Sequence, residues 1–329
     1  MVAIRMQKQT GFTLIELMVS MGIGLFLIAG VFSVYLNSSQ SQKVVEDEVK
    51  LTDDARFALE TISFDLRQAG VYGTLNHESY DKVDAASKNL TQITSTSQCD
   101  TATPGWITRV ERPVFASDNA NPYGADCIPS STYKVNTDVL EVRYVNRIED
   151  AENNNLIADA IYMNSDSNNA QFFIGSAPPA ITTPQSRNYR VVTKAYYISD
   201  YTDSVGDGIP SLHVVSLQPG PSVTDTLLLS GVENLQLQFG LTATNKGTSV
   251  VTWVDPTAAM PWDRVIAARV WLVMKSKSRV KDTPASGSFE IPGSTLNTLE
   301  NVSILDTDGY RRVMVTTAVR LRNMNTGGR

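Results

Sequence analysis

The chain has 329 residues, of which 28 are Lys or Arg and 34 are Asp or Glu, giving a net charge of -6. Its length allows a sizeable core in one or two domains, and its 19% charged residues with moderate Gly and Pro content exclude a fully disordered or fibrous protein. The acidic balance argues against general nucleic-acid binding, which needs a positive surface. Two histidines and two cysteines leave few ligands for a zinc site.

The N-terminal region joins a basic stretch to a long apolar one. Arg5 and Lys8 are its early charges, and Glu16 is the only charge in the mostly apolar residues 12–36. A helix of this length reaches about 37 Å at ~1.5 Å per residue, enough to cross a hydrocarbon core of about 30 Å. The positive flank predicts that the N-terminus stays in the cytoplasm and that the rest of the chain is extracytoplasmic.

A secretory signal peptide or signal anchor begins with the same pattern, so two further details matter. The apolar run is longer than an ordinary signal core, and no convincing A-x-A-like cleavage site follows it. In addition, burying a carboxylate at the centre of a bilayer costs roughly 2.5 to 3.5 kcal/mol. The presence of Glu16 in the apolar run therefore indicates that it has a function and a cationic partner.

The segment Gly11-Phe12-Thr13-Leu14-Ile15-Glu16, with its basic leader and following apolar helix, resembles the class III signal of type IV prepilins and type II secretion pseudopilins. The resemblance implies that a prepilin peptidase cleaves between Gly11 and Phe12 and methylates the new Phe12 amine. That amine would neutralise Glu16 of a neighbouring subunit in an apolar filament core. We therefore expect a cleaved leader over residues 1–11 and a transmembrane or filament-core helix over 12–36.

Residues 37–70 predict an amphipathic soluble continuation of this helix. Apolar residues recur at steps of three or four, forming one stripe: Leu51, Ala55, Ala58, Ile62, Leu66 and Ala69. Gly70 is the predicted helix stop. Together the two segments would form one long spine.

Residues 71–329 predict an extracytoplasmic domain rich in β-strand. The pattern indicates strands near 139–145, 190–198, 212–217, 234–240, 266–274 and 311–321. The connection over 148–188 is long and polar, which suggests irregular surface elaborations on an antiparallel sheet. The predicted fold class is α+β, with a long N-terminal helical spine followed by an antiparallel β-sheet domain.

Four further segments resemble minor pilins of the PilW family: 56–59, 65–70, 231–236 and the C-terminal 311–323. The resemblance is much weaker over 74–188. It implies a non-enzymatic subunit of a priming complex near the pilus tip, supporting twitching motility and attachment. PilW-like proteins also resemble J-type pseudopilins of type II secretion in architecture, which leaves a minor pseudopilin as the alternative function. A tip adhesin or DNA-binding module is a third possibility.

The same resemblance implies the partners and the location. The partners would be other minor pilins, the major pilin, a PilY-type tip protein, the prepilin peptidase and the inner-membrane assembly platform. Before assembly the chain would cross the inner membrane once, with its C-terminal domain in the periplasm, and after assembly it would lie in the pilus. We expect no cofactor, and nucleic acid is not an expected partner.

Cys99 and Cys127 both lie in the predicted extracytoplasmic part, where oxidation favours a disulfide. Two free thiols or a redox pair are the alternative, although the spacing is not C-x-x-C.

Three other groups of polar residues are candidates for a binding or catalytic site. Four cations alternate along one segment and suggest either a DNA-binding face, a contact with the acidic part of a neighbouring spine, or a solvated strand edge: Lys275, Lys277, Arg279 and Lys281. Aspartates around 200–207 and 306–308 do not match a calcium-loop pattern. His77 and His213 accompany no nucleophile motif, so no catalytic or metal residue is predicted.

Overall fold

A computed structural model describes most of the chain. The residues it describes are 11–75, 83–84, 99, 106–124, 127–148, 156–180, 185–220, 222–244, 249–279, 289–292, 299–302 and 309–324. The chain divides into two compact units, residues 1–50 and residues 51–329.

One long helix, α1, spans Leu14–Gln68 and confirms the predicted helical spine. Its first part, up to residue 50, belongs to the first unit, and its last part, from Leu51 onwards, belongs to the second. Thirteen strands follow: β1 Val114–Ser117, β2 Val139–Arg147, β3 Ile161–Ser165, β4 Ala170–Ile174, β5 Arg187–Ser199, β6 Ser211–Leu217, β7 Val223–Ser230, β8 Val232–Leu241, β9 Thr252–Val254, β10 Val265–Arg279, β11 Phe289–Pro292, β12 Leu299–Val302 and β13 Tyr310–Arg320.

These strands form a seven-stranded, a four-stranded and a two-stranded sheet, and every pair of named strands is antiparallel. In the large sheet, β5 pairs with β2 along most of its length, with β3 at its start and with β6 at its end. The four-stranded sheet has the order β13-β10-β8-β9. The α+β fold class is thereby confirmed.

The second unit has hydrophobic clusters on both faces of its large sheet. The predicted helical stripe, from Leu51 to Ala69, is buried and packs with one face of β2 and β5 and with the inner face of β8 and β10. Ala55 and Ala58 have no exposed surface, and such small side chains allow the helix backbone to approach the sheets closely. On the other face of β2 and β5, a layer of loops that includes Trp106, Ile128 and Tyr133 forms a second cluster.

The C-terminal end of α1 is closed by residues from the far end of the chain. Gly70 has a φ of +80°, a left-handed conformation that glycine adopts readily. The side-chain amide of Asn323 donates to the carbonyl oxygens of Arg67, at 2.9 Å, and Ala69, at 3.3 Å. Asn323 therefore caps carbonyl groups that the helix leaves unpaired.

All six predicted strands are present, but the expectation for 148–188 was wrong. This segment contains the β3–β4 hairpin, which joins the large sheet through β5. Its strands have five residues each and include polar side chains such as Asn164 and Ser165, so they lack the alternation that marks a half-buried strand. The Asp166 side chain orders the hairpin turn by accepting the N–H groups of Asn168 and Asn169.

Candidate functional site

The N-terminal motif begins with three residues that precede the helix. Gly11, Phe12 and Thr13 are exposed and non-helical, and α1 begins at Leu14. The Glu16 amide N–H donates to Oγ1 of Thr13 at 3.3 Å, as in a helix N-cap. Thr13-x-x-Glu16 also matches the sequence pattern of a capping box. The Gly11–Phe12 peptide bond therefore lies outside the helix.

The helix that follows is apolar on all sides. The best 18-residue window in α1 has a mean hydropathy of 2.3, and none of it is buried within the protein. Phe12, Phe26 and Val31 are at least 70% exposed. A helix that is hydrophobic around its whole circumference needs an apolar environment from outside, such as a bilayer or the helices of other subunits.

Glu16 is the charged residue of this apolar segment. Its carboxylate forms no ion pair with any residue in the described part of the chain. Its position in the first helical turn is favourable because the helix dipole stabilises negative charge there. The geometry leaves the carboxylate available to a cation from another molecule.

A buried carboxylate joins the second part of α1 to the large sheet. Asp65 is 1% exposed and accepts hydrogen bonds from the hydroxyl of Tyr144, at 2.9 Å, from the hydroxyl of Tyr196, and from Nζ of Lys194, at 2.9 Å. Burial, followed by the nearby Asp65 charge, raises the pKa of both tyrosines, which keeps their hydroxyls protonated as donors. Asp65 thus fixes this part of the helix to β2 and β5.

The structure joins Cys99 and Cys127 in a disulfide, with their Cα atoms 4.9 Å apart. Both residues belong to the loop layer on the outer face of the large sheet. A buried ion pair between Arg143 and Glu141 of β2 holds the same layer, because Arg143 donates to the carbonyl oxygens of Trp106 and Arg112. Burial lowers the pKa of Arg143 to about 10, so it remains charged at neutral pH.

Several segments that carry the PilW resemblance contact one another. The guanidinium of Arg312 binds the carboxylate of Glu233 through two contacts, at 2.6 and 3.1 Å. Asn323 caps the helix segment 65–70, as described above. Gly231 accepts the N–H of Lys275, and a Cβ atom at this glycine would lie 2.8 Å from the Lys275 carbonyl oxygen. These segments therefore form the junctions between α1, β8, β10 and β13.

The predicted cationic face lies at the end of β10. Nζ of Lys275 lies 4.1 Å, and Cζ of Arg279 5.4 Å, from the ring centroid of Tyr310. Lys277 is exposed between them, and Lys281 lies outside the described residues. Two of these cations thus share a neighbouring aromatic ring.

The aspartate loop near residue 200 is ordered by hydrogen bonds between the Asp207 side chain and the backbone of the loop. The Asp207 carboxylate accepts N–H groups from Thr202, Asp203, Ser204 and Ile209, and these bonds lower its pKa to about 2. This carboxylate therefore stabilises the turn.

Residues 306–308, His77, Arg5 and Lys8 lie outside the described residues.

Three polar groups were missed by the sequence analysis. Asp65 interrupts an apolar helical stripe, and an acid at a core-facing position is the signal that could have identified it. Asp138 is buried and accepts N–H groups from Asn119, at 2.9 Å, and Leu237, at 2.7 Å, which links the large sheet to β8. The third group surrounds His213, on β6. Its partner Asp225 comes from the next strand, so only the strand pairing brings them together.

Two protein-family models match parts of the chain. A family model described as Type IV Pilus-assembly protein W matches residues 195–323, and a model of the prokaryotic N-terminal methylation motif matches residues 6–32. Among solved structures, the chain is similar to a type IV-like pilin from Thermus thermophilus, with 14% identity, 84% of this chain and 97% of that chain covered, and a TM-score of 0.32. No curated protein matches the chain. The two family matches confirm the predicted resemblance to PilW-family minor pilins.

Proposed function

We propose that this type IV pilus minor pilin acts with other minor pilins in a membrane-embedded complex that primes pilus assembly and stays near the pilus tip. The observation that carries the proposal is the combination of a prepilin-type apolar helix with a PilW region in one chain. In this role the protein supports twitching motility and attachment through its contacts and catalyses no reaction.

The N-terminal residues are proposed to be processed before assembly. A prepilin peptidase removes residues 1–11 by cutting between Gly11 and Phe12, and the new Phe12 amine is methylated. The exposed, non-helical conformation of residues 11–13 supports this step, since a protease needs an accessible peptide bond. The helix cap at Thr13 keeps that bond out of the helix.

The apolar helix is proposed to occupy two environments in turn. Residues 12–36 first cross the inner membrane, with the N-terminus in the cytoplasm, and later pack against other helices in the filament core. The positive amine of a neighbouring subunit then pairs with Glu16, because either charge alone is strongly unfavourable in an apolar core. Residues 37–70 continue the spine, and residues 71–329 form the domain outside the cytoplasm.

The proposed partners follow from this position. Other minor pilins and the major pilin contact the spine, a PilY-type protein contacts the domain at the tip, and the assembly platform extracts the subunit from the membrane. The disulfide between Cys99 and Cys127 supports a periplasmic domain, because such bonds persist in oxidising compartments.

A deletion strain tests the proposal against the J-like pseudopilin alternative. Sheared pili and the secreted proteins of the same culture are compared with those of the parent strain. Loss of surface pili with normal secretion is the expected result, and restoration by the wild-type gene is the control. Normal piliation with a loss of type II secretion substrates would overturn the proposal in favour of the pseudopilin.

DNA binding by the β10 cations is tested separately from pilus assembly. Pili carrying Lys275→Gln, Lys277→Gln and Arg279→Gln are compared with pili carrying Arg56→Gln, a matched exposed cation on α1. Under the proposed function, the triple variant assembles pili and takes up DNA as the control does. A selective loss of DNA uptake would identify a DNA-binding face.

A further inference from the structure

Strand β7 forms one outer edge of the seven-stranded sheet. In the described part of the chain it pairs with β6 alone, through a ladder that runs from Val223 to Ser230. The next strand along the chain, β8, joins the four-stranded sheet after a turn at Gly231, whose φ is +91°. The side of β7 that faces away from β6 is therefore paired with no described strand.

The hydrogen-bond pattern indicates which backbone groups of β7 face outwards. The loop between β6 and β7 is closed by a bond from the Gln218 N–H to the Ser222 carbonyl oxygen, at 2.9 Å. Bonded and non-bonded pairs alternate along an antiparallel ladder, so Val223 belongs to a non-bonded pair, and every second residue after it does the same. The N–H and carbonyl groups of Val223, Asp225 and Leu227 therefore point away from β6.

These outward backbone groups are accessible to another chain. They have no hydrogen-bond partner in the part of the protein that the structure describes, and residues 224–227 are exposed. The ladder is regular over the same residues, because its irregularity lies further on, between Leu212 and His213 of β6. Each non-proline residue carries one donor and one acceptor, so three alternate residues of β7 offer both to an added strand.

The other outer strands of the two larger sheets have protection that β7 lacks. β9 and β1 have only three and four residues, and β13 carries Arg311, Arg312 and Arg320. β4 is covered where the N–H of Asp84 donates to the Ala170 carbonyl oxygen at 2.9 Å. Short length, cations and a covering segment all discourage pairing with another chain. β7 has eight residues and contains no Lys, Arg or Pro.

The side chains on one face of this edge define a recognition pattern. Val223, Asp225 and Leu227 share a face, because residues two apart in a strand point to the same side. The Asp225 side chain is 36% exposed. Its oxygens each have one contact, Oδ1 with His213 and Oδ2 with Tyr197, which leaves lone pairs for a further donor. An added strand would therefore meet an acid between two apolar side chains.

The charge of Asp225 disfavours a second copy of β7 as the occupant. Because β7 contains no cation, antiparallel self-pairing places Asp225 opposite a second Asp225, or opposite Val223 or Leu227 when the register shifts by one pair. Like charges directly opposite each other are destabilising, whereas opposite charges stabilise a strand pair. The edge therefore favours a strand of another protein that carries a cation.

We propose that the outer edge of β7 is a docking site for an extended segment of another protein, which adds to the sheet as a further strand and places Lys or Arg opposite Asp225, between two apolar residues. Bonds to the backbone of Val223, Asp225 and Leu227 hold the segment, and its alternate side chains provide the selectivity. This docking site is independent of the proposed pilus role, so the isolated full-length chain is sufficient to test it.

A designed peptide tests the charge preference of the edge. The sequence Thr-Val-Thr-Lys-Thr-Val-Thr, with blocked termini, reads the same in both directions and can present its lysine to Asp225 in either strand orientation. A fluorescent form is titrated with the full-length chain in an uncharged detergent. It should bind about tenfold more tightly than the peptide with glutamate at its centre, because a like-charge pair then replaces an opposite-charge pair. Equal affinities, or no binding at millimolar concentrations, would overturn the proposal.

Methylation of the peptide's own amides tests strand addition without altering the protein. Alternate amides of an added strand point towards β7, and the others point to solvent. N-methyl groups on one alternate set, either the valines and the lysine or the threonines, should weaken binding at least about tenfold, since several backbone bonds are lost together. N-methyl groups on the other set should have little effect. If the two sets weaken binding equally, the peptide does not add as a strand and the proposal fails.

A variant of Asp225 tests whether this carboxylate selects the cation. In Asp225→Asn the lysine and glutamate peptides should bind with affinities within about twofold of each other, because the asparagine carries no charge. Asp53→Asn, at an exposed acid on α1, is the matched control and should keep the tenfold preference. A preference that survives in folded Asp225→Asn would contradict the assigned role.

Hydrogen exchange of the wild-type chain locates the bound peptide even if the variant does not fold. The lysine peptide should slow exchange in residues 223–230 and leave β13 unchanged. Slower exchange in β13 without a change in β7 would overturn the proposal. Protection of β7 that rises with the concentration of the chain alone would assign the edge to a second copy and would likewise overturn it.

Discussion

At the scale of single residues, two buried carboxylates make polar contacts between elements of the fold. The Asp65 carboxylate accepts hydrogen bonds from two tyrosine hydroxyls and one lysine ammonium. The Asp138 carboxylate accepts hydrogen bonds from two backbone N–H groups in different parts of the domain. Each acid satisfies donors that would otherwise be buried without a partner, and an unpaired buried donor costs about 1–3 kcal/mol. Their removal should therefore destabilise the domain more than the removal of an exposed acid.

Asp65→Ala should lower the free energy of unfolding by about 3 kcal/mol, because it leaves two buried hydroxyls and one partly buried ammonium without their acceptor. Urea unfolding of the full chain in detergent, followed by tryptophan fluorescence, measures the change. Asp53→Ala, at an exposed position on the same helix, is the matched control and should change it by less than about 0.5 kcal/mol. Equal effects of the two variants would contradict the assigned role.

Asp138 should give the domain a pH-dependent stability. Burial raises its pKa well above 3.8, despite the two hydrogen bonds that favour the carboxylate. The folded state therefore holds this proton more tightly than the unfolded state, and the contribution of Asp138 to stability falls as the pH rises from about 4, by at most ~1.4 kcal/mol per pH unit. Urea midpoints between pH 4 and pH 8 should show this slope in the wild type relative to Asp138→Asn. Parallel curves would refute it.

At the scale of elements, the end of α1 depends on a glycine in a crowded position. A Cβ atom at Gly70 would lie 2.8 Å from the carbonyl oxygen of Asn323, whereas a Cβ at Gly206, which also has a positive φ, would meet no atom within 4 Å. Alanine substitutions at these two glycines can therefore distinguish the cost of backbone strain from the cost of a steric contact.

Gly206→Ala should cost about 1 kcal/mol of unfolding free energy, since it adds only left-handed strain. Gly70→Ala should cost about 2–3 kcal/mol, because the same strain is combined with a displacement of the Asn323 backbone. The comparison of urea midpoints measures the difference. A loss at Gly70 no larger than that at Gly206 would show that the contact with Asn323 is unimportant.

The disulfide should stabilise the domain because it lowers the conformational entropy of the unfolded chain. Its two cysteines are separated by 28 residues, and closing a loop of this size contributes about 3.5 kcal/mol in the chain-entropy model. The double variant Cys99→Ala, Cys127→Ala should lose a stability of that order in urea unfolding. Reduction of the wild type should change its mobility on a denaturing gel, and a mobility insensitive to reduction would contradict the bond.

At the scale of the whole molecule, the charge of Glu16 is predicted to matter for assembly rather than for membrane insertion. Glu16→Gln keeps a side chain suited to helix capping but removes the charge. We expect the variant to be found in membranes at the normal level and to be strongly depleted from sheared pili. Glu46→Gln, at an exposed acid on the same helix beyond the apolar run, is the control. Normal incorporation of Glu16→Gln would refute the proposed ion pair.

The extent to which the sequence predicted the fold follows from how local each signal is. The apolar run before residue 37, the stripe from Leu51 to Ala69 and the alternation in β13 are properties of neighbouring residues, and they predicted the helix and six strands. The β3–β4 hairpin was missed because its strands are short and partly polar. β7 was missed because it lies at an exposed edge, where burial does not impose an alternation.

The candidate sites divide in the same way. Gly11, Phe12 and Glu16 form a local motif, so sequence alone identified the methylation signal that the family comparison also matches. The contacts of Asp65 with Tyr144, Lys194 and Tyr196 join residues more than 70 positions apart, and those of His213 depend on the pairing of β6 with β7. Such partners become visible only when the topology is known.

The cap that Asn323 places on α1 has a consequence for the order in which the protein matures. Its side chain binds carbonyl groups 254 and 256 residues earlier in the chain. During synthesis α1 appears before Asn323, so this end of the helix cannot be completed until the chain has been made through Asn323. Because contacts over such long separations form slowly, the helix terminus is completed late in folding, and fragments that stop before Asn323 cannot form the cap.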